Sequence, residues 1–173
     1  NRSHLAELFF ELGYKVGAEI GVRGGQNAHV LFQKNPNLKL FCVDPWAPWG
    51  GGRPTQHRQN IYFYQTKKRL LGLNVVYIRK TSMEALNEID DDSLDFVYID
   101  AMHDFDNVIM DIIKWSKKVR SGGIVSGHDY LQGPGLGVIP AVRAYVDGHC
   151  IRDWYITQDY ELHVQTPSFF WVK

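Results

Sequence analysis

The sequence predicts an α/β protein built on a mostly parallel seven-stranded sheet, with an antiparallel C-terminal strand and helices on both faces. Short apolar runs alternate with segments of helical periodicity along most of the chain, which is typical of strand–helix–strand units. Two final apolar runs lie close together, so we expect them to pair as an antiparallel hairpin. The length of 173 residues predicts a single domain over residues 1–173.

The first half of the chain supplies three of the strands. Leu5, Leu8, Phe9 and Leu12 recur at helical spacing, and Gly13 follows as a C-cap. The next predicted elements are a strand at 15–20, a helix at 27–33 that stops before a proline, a strand at 38–43, a helix at 56–71, a strand at 75–78 and a short helix at 83–89. A loop rich in Gly, Pro and Trp precedes the helix at 56–71 and overhangs the predicted pocket.

The second half contains the two most informative strands, which end at Asp100 and His128. Each is an apolar run without charged side chains until its C-terminal end, as expected of a buried parallel strand. The strand ending at His128 is predicted to begin after the turn at Gly122 and Gly123. The remaining predicted elements are helices at 105–119 and 139–146 and strands at 154–156 and 169–172.

Composition narrows the classes of partner. Lys and Arg total 19, as do Asp and Glu, so the net charge is zero and nothing favours nucleic acid or an anionic membrane as a partner. No secretion signal and no apolar run of membrane-spanning length is present in the sequence. The two cysteines form no metal or redox spacing. We therefore expect a cytoplasmic protein that acts on a small molecule, with the oligomeric state left open.

Four titratable residues lie at the ends of the two buried strands: Asp100, His103, His128 and Asp129. Ligands of open α/β sheets bind outside the C-terminal ends of the strands. These side chains are therefore expected to converge on one crevice, where carboxylates and histidines indicate chemistry more than packing.

The first strand-to-helix turn is rich in glycine and carries a carboxylate, Glu19, just before it. A dinucleotide fingerprint needs glycines at relative positions 1, 3 and 6, but here Gly21 is followed by Arg23 and Gln26 at the other two. The fit to a pyrophosphate is poor, and Glu19 suits a cationic group such as an ammonium or a sulfonium. The alternative is an ordinary tight turn.

Asp44 ends the second strand, about 20 residues after the glycine loop. A carboxylate there can accept hydrogen bonds from both hydroxyls of a ribose. The alternative is an aspartate that caps a helix or orders a loop. The order of Glu19, the glycines and Asp44 is more specific than any one of them.

With these residues in place, the chain resembles class I S-adenosylmethionine-dependent methyltransferases, which have a Rossmann-like fold. The resemblance rests on the strand order, Glu19-x-Gly21, Asp44 and the antiparallel ending, and covers nearly the whole chain. More narrowly, Ile99-Asp100-x-x-His103 and the segment 122–130, with Asp129 near its end, resemble small bacterial O-methyltransferases of the macrocin and sugar-modifying type.

The resemblance implies S-adenosylmethionine as cofactor and assigns the residues that hold it. The glycine loop and the ribose aspartate bind the cofactor, and the residues after the third strand flank the adenine. Arg23 departs from the three-glycine form of the loop, as is frequent in this subgroup. The implied cofactor-binding residues are Glu19, Gly21, Arg23, Gly24, Asp44, Ser82, Met83 and Asp100.

The resemblance also implies a catalytic group of Asp100, His103 and Asp129, in which a histidine of near-neutral pKa takes a proton from a hydroxyl. A divalent metal, Mg²⁺ or Mn²⁺, is the optional second cofactor, with Asp100, His128 and Asp129 as its predicted ligands. Related enzymes usually carry two carboxylates where His128-Asp129 stands, so His128 alternatively contacts substrate or caps the strand.

Two other functions stay open. One is a nicotinamide-dependent oxidoreductase, against which the glycine spacing argues. The other is a non-catalytic S-adenosylmethionine-binding protein, which would have no use for Asp100, His103 and Asp129. The acceptor of a methyl group stays undefined among sugars, phenols and small polyketides. Trp46 and Trp49, in the loop after Asp44, either stack on that acceptor or anchor the loop.

Overall fold

A computed structural model describes residues 2–49, 54–157 and 166–173. They contain one seven-stranded sheet in the order β3-β2-β1-β4-β5-β7-β6. The strands are β1 (Val16–Ile20), β2 (Lys39–Val43), β3 (Val75–Ile78), β4 (Leu94–Ile99), β5 (Val119–Gly127), β6 (Trp154–Ile156) and β7 (Phe169–Val172). The helices are α1 (Arg2–Glu11), α2 (Gln26–Lys34), α3 (Gln56–Arg69), α4 (Phe105–Trp115) and α5 (Val138–Gly148).

The sheet has the predicted strand directions. Strands β1 to β5 pair in parallel, whereas β7 runs antiparallel to both β5 and β6. Helices α1 and α2 cover one face together with part of α3, and α4 and α5 cover the other. The predicted α/β architecture, including the C-terminal hairpin, is therefore confirmed.

Three elements differ most from the prediction. Helix α4 ends at Trp115, and β5 already begins at Val119, which pairs with Leu94 before the register shifts and Ile124 pairs with Phe96. Gly122 adopts a left-handed conformation (φ 74°) within that irregularity. The predicted short helix at 83–89 is a 3₁₀ turn over Glu84–Glu88.

Close packing at the C-terminal edge of the sheet brings the glycine loop against β4. Gly21 has a φ of 90°, and a Cβ there would lie 2.1 Å from the carbonyl oxygen of Asp100. Only glycine therefore fits at this position, and it sets the loop beside the residues that follow β4.

No helix in the described ranges has the length and apolar character needed to cross a bilayer.

Candidate functional site

Asp44 holds the glycine loop in place. Its Oδ2 accepts hydrogen bonds from the backbone N–H groups of Val22 (3.1 Å) and Arg23 (2.8 Å), and its Oδ1 accepts from the N–H of Trp46 (2.7 Å). Burial raises the pKa of the Asp44 carboxyl, although these three hydrogen bonds oppose the shift. The predicted ribose ligand is thus also a structural residue, whose remaining lone pairs are what a ribose could use.

The two tryptophans of the following loop have different environments. Trp46 is fully buried, and its Nε1 donates to the carbonyl oxygen of Arg23 at 2.8 Å, so this side chain anchors the loop. Trp49 is 53% exposed. The loop continues into residues 50–53, which lie outside the described ranges.

Glu19 is a buried carboxyl on β1 with a deficit of hydrogen bonds. Asn27 Nδ2 donates to its Oε1 at 3.3 Å, whereas its Oε2 has no partner within the described residues. Burial, reinforced by the charge of Asp100, raises the pKa of Glu19 to about 8. Around neutral pH the carboxyl is therefore mostly protonated, and a cation brought next to it would favour its ionisation.

Ser82 and Met83 follow β3 and are both half-buried. The Ser82 hydroxyl donates to Asp111 and accepts from Trp115 Nε1 at 2.7 Å. Burial raises the pKa of Asp111 to about 6. The Ser82 hydroxyl is thus held by two polar contacts, and the contact of Ser82 and Met83 with an adenine stays a prediction.

Asp100, His103 and Asp129 meet as predicted at the ends of β4 and β5. Nε2 of His103 lies 3.0 Å from Asp129 Oδ2 and 3.5 Å from Asp100 Oδ1. That nitrogen is buried and, despite these distances, makes no well-aligned hydrogen bond. One potential ligand atom from each side chain lies within 4.8 Å of the others, so the three could hold a metal ion.

The charge state of His103 differs from the expectation. Asp100 and Asp129 together raise the pKa of His103 to about 10. In return, His103 and His128 hold the pKa of Asp129 far below its usual range. A near-neutral pKa was expected because that is the ordinary value of a histidine, but the fold brings two carboxylates close to the ring. In the free protein His103 is therefore an imidazolium at neutral pH.

His128 occupies a different position from the other three. It is 9% exposed, and its Nδ1 lies 2.9 Å from Asp129 Oδ1 but 4.0 Å from Asp100 Oδ1. Thr166 Oγ1 lies 3.1 Å from the same nitrogen and donates to Asp129 at 2.7 Å. The group that could hold a metal ion combines His103 with the two carboxylates, and the role of His128 as a further metal ligand stays a prediction.

Sequence reasoning missed Arg2. This residue opens α1, and its Nη2 donates to Asp100 Oδ2 at 2.7 Å and lies 3.2 Å from His128 Nδ1. Its Nε is buried without a partner within the described residues. The only signal in the sequence is the helical spacing of Leu5 and Phe9, which indicates a helix packed on the sheet but not which strand end it reaches.

Three comparisons place the chain among known proteins. Residues 18–130 match the family described as "Methyltransferase domain". The uncharacterized protein y4gI of Sinorhizobium fredii is 30% identical over 97 residues, which cover 53% of this chain and 10% of that protein. The chain thus spans about a tenth of the length of this relative.

Solved structures share the fold at low identity. The O-methyltransferase TomG of Streptomyces achromogenes, in complex with SAM, matches with a TM-score of 0.69 at 17% identity, over 99% of this chain and 78% of that one. Cofactor-bound Rv0187 from MTB matches with a TM-score of 0.71 at 16% identity, over 99% and 78%. An O-methyltransferase from Bacillus cereus in complex with SAH gives 0.61 at 16%, over 99% and 80%.

Proposed function

Because the chain belongs to the methyltransferase-domain family, we propose that it transfers a methyl group from S-adenosylmethionine to a hydroxyl group of a small molecule, a sugar or a phenol. The observation that carries the proposal is the meeting of Asp100, His103 and Asp129 beside the glycine loop. The loop supplies a cofactor pocket, and the three side chains supply proton chemistry next to it.

The amino-acid end of the cofactor would lie between Glu19, Asp100 and Arg2. An α-amino acid is a zwitterion, and the Arg2–Asp100 ion pair is its electrostatic complement. Asp100 would accept from the ammonium group, and the guanidinium of Arg2 would pair with the carboxylate. Glu19, buried beneath, favours the cationic side of the ligand once ionised. Asp44 would accept from the ribose hydroxyls.

Once the sulfonium is bound, methyl transfer to oxygen needs few catalytic groups from the protein. The acceptor hydroxyl must be aligned with the methyl carbon, and its proton must be removed. His103 is the group proposed to take this proton, because Asp100 and Asp129 stabilise the resulting imidazolium. In the proposed mechanism His103 must first lose the proton that it carries in the free protein.

The same three side chains fit a divalent cation. Nε2 of His103, which makes no well-aligned hydrogen bond, lies beside two carboxylates, and this mixed set of oxygen and imidazole ligands suits Mn²⁺ and is compatible with Mg²⁺. When bound, such a metal would stabilise the alkoxide of the acceptor. In that case His103 would be a ligand and could not serve as the base, so removal of metal is one arm of the test below.

The proposal is tested by titrating the protein with S-adenosylhomocysteine and, separately, with NAD⁺ in a calorimeter. We expect saturable binding of the first and none of the second. Incubation with S-adenosylmethionine and a panel of sugars and phenols, with and without EDTA, should then give a methylated product by mass spectrometry. Binding of NAD⁺ alone would refute the assignment.

Replacing Arg2 by glutamine tests the orientation of the cofactor. The affinity for S-adenosylhomocysteine should fall by about tenfold, or about 1.4 kcal/mol, because the carboxylate loses its cation. The affinity for decarboxylated S-adenosylhomocysteine should not change, because that ligand lacks the group that Arg2 contacts. Both are measured by calorimetry. An equal loss for the two ligands would mean that Arg2 acts through the structure of α1 and not on the carboxylate.

A further inference from the structure

Two arginines converge on one tyrosine beside the glycine loop. Arg23 Nη2 and Arg58 Nε both donate to the Tyr62 hydroxyl, at 3.2 and 3.0 Å, and both guanidiniums lie over its ring, 5.1 and 5.2 Å from the centroid. The hydroxyl oxygen thus serves as acceptor for both arginines, and its own hydrogen remains available as a donor. We call these three residues the arginine clamp.

The clamp concentrates positive charge without neutralising it. Within the described ranges, neither Arg23 nor Arg58 forms an ion pair with an Asp or Glu. Asp44, which accepts from the backbone N–H of Arg23, directs its oxygens at backbone N–H groups and not at either guanidinium. Helix α3 contains no acidic residue, and Arg58 lies in its first turn, where the helix dipole is positive. Two like charges held this close are stabilised by an anion between them.

Arg23 has a strained backbone conformation. Its φ is 52°, a left-handed conformation in which glycine would be unstrained. Asp44 accepts from its N–H, while Trp46 Nε1 and Thr66 Oγ1 donate to its carbonyl oxygen at 2.8 and 3.0 Å. These contacts hold the backbone of Arg23 and therefore the direction in which its side chain leaves the loop.

We propose that Arg23, Arg58 and the Tyr62 hydroxyl form a binding site for the phosphate group of a small molecule. Planar guanidiniums bind the oxygens of a phosphate dianion in a directed way, and a phenol adds a further donor. S-adenosylmethionine carries no phosphate, so the ligand is a second molecule. The phosphate belongs either to a sugar phosphate or to a nucleotide, and the arginine clamp would bind the phosphate group that the two share.

The site is tested by calorimetry with inorganic phosphate at constant ionic strength, with no cofactor present, so the result does not depend on methyl transfer. We expect saturable binding that Arg58→Gln weakens by about tenfold, because one of two charge-assisted contacts is lost. Lys68→Gln is the matched control: it removes one charge from an exposed position of the same helix and should change the affinity by less than about twofold.

Two further arms identify the carrier of the phosphate. Glucose 1-phosphate and AMP should each displace inorganic phosphate from the wild-type protein, and the tighter of the two indicates whether a sugar or a nucleoside carries the group. Acetate at the same ionic strength should not displace it. The proposal is overturned if wild-type protein shows no saturable binding of phosphate, if Arg58→Gln and Lys68→Gln lose affinity equally, or if neither ester competes.

Discussion

Replacing Asp44 by alanine is expected to abolish useful cofactor binding and to destabilise the protein at the same time. The carboxylate accepts from three backbone N–H groups that fix the glycine loop and the start of the next loop. Leaving such donors unpaired costs about 1–3 kcal/mol each when they are buried. We expect the affinity for S-adenosylhomocysteine to fall more than about tenfold and the melting temperature to fall by several degrees.

Asp44→Asn separates these two effects. The amide keeps one acceptor oxygen, which can retain the Val22 and Arg23 contacts, but it presents an N–H₂ group to the ribose or to Trp46. We therefore expect most of the stability to return while affinity stays low. Calorimetry and thermal unfolding of both variants supply the measurements. If the Asp44→Ala protein is folded and binds S-adenosylhomocysteine with wild-type affinity, Asp44 is not part of the cofactor pocket.

Much of the fold followed from patterns that are local in sequence. The apolar runs before Asp100 and His128 predicted buried parallel strands, and both strands are found where the runs lie. The boundary at Val119 was missed because it depends on pairing with β4. A register shift depends on the pairing of two strands, so the sequence of one strand alone does not predict it.

The candidate site was predictable in its residue types more than in its geometry. Strand ends meet at one edge of a parallel sheet, so the meeting of Asp100, His103 and Asp129 could be foreseen. The position of the His128 side chain could not be foreseen, because it depends on how the side chain of Asp129 turns from a left-handed backbone (φ 54°). Arg2 reaches the site from a helix about 100 residues away in sequence, and no local pattern encodes that contact.

The same non-local contacts set the charge of the site. The pKa of His103 is raised from 6.5 to about 10, so the stabilising effect of its ion pairs is fully present below about pH 6.5 and is lost as the pH rises through about 10. The depressed pKa of Asp129 has the opposite consequence: its contribution is present above the ordinary aspartate pKa and is lost as the pH falls through the folded value. Between these limits His103 carries the positive charge and Asp129 a negative charge of an ion pair.

That raised pKa changes the expected pH profile of catalysis. A base must be neutral to accept a proton, and around pH 7 only a small fraction of His103 is neutral. The rate of methyl transfer should therefore rise by about tenfold per pH unit between about pH 7 and 9 and level off near the pKa of about 10. Asp129→Asn should move this rise to lower pH, since it removes one of the two negative charges that stabilise the imidazolium.

His103→Gln should lower the rate by about 10² to 10⁴, the usual contribution of a positioned base, and should remove the pH dependence. Initial rates are measured by mass spectrometry from about pH 6 to 10 with an acceptor found in the panel. The affinity for S-adenosylhomocysteine serves as the control and should not change, because that ligand offers His103 no proton. A variant that keeps the wild-type pH profile at a reduced scale would show that His103 positions the acceptor and that another group takes its proton. A wild-type rate abolished by EDTA, together with loss of a bound metal in His103→Gln, would instead assign His103 as a metal ligand.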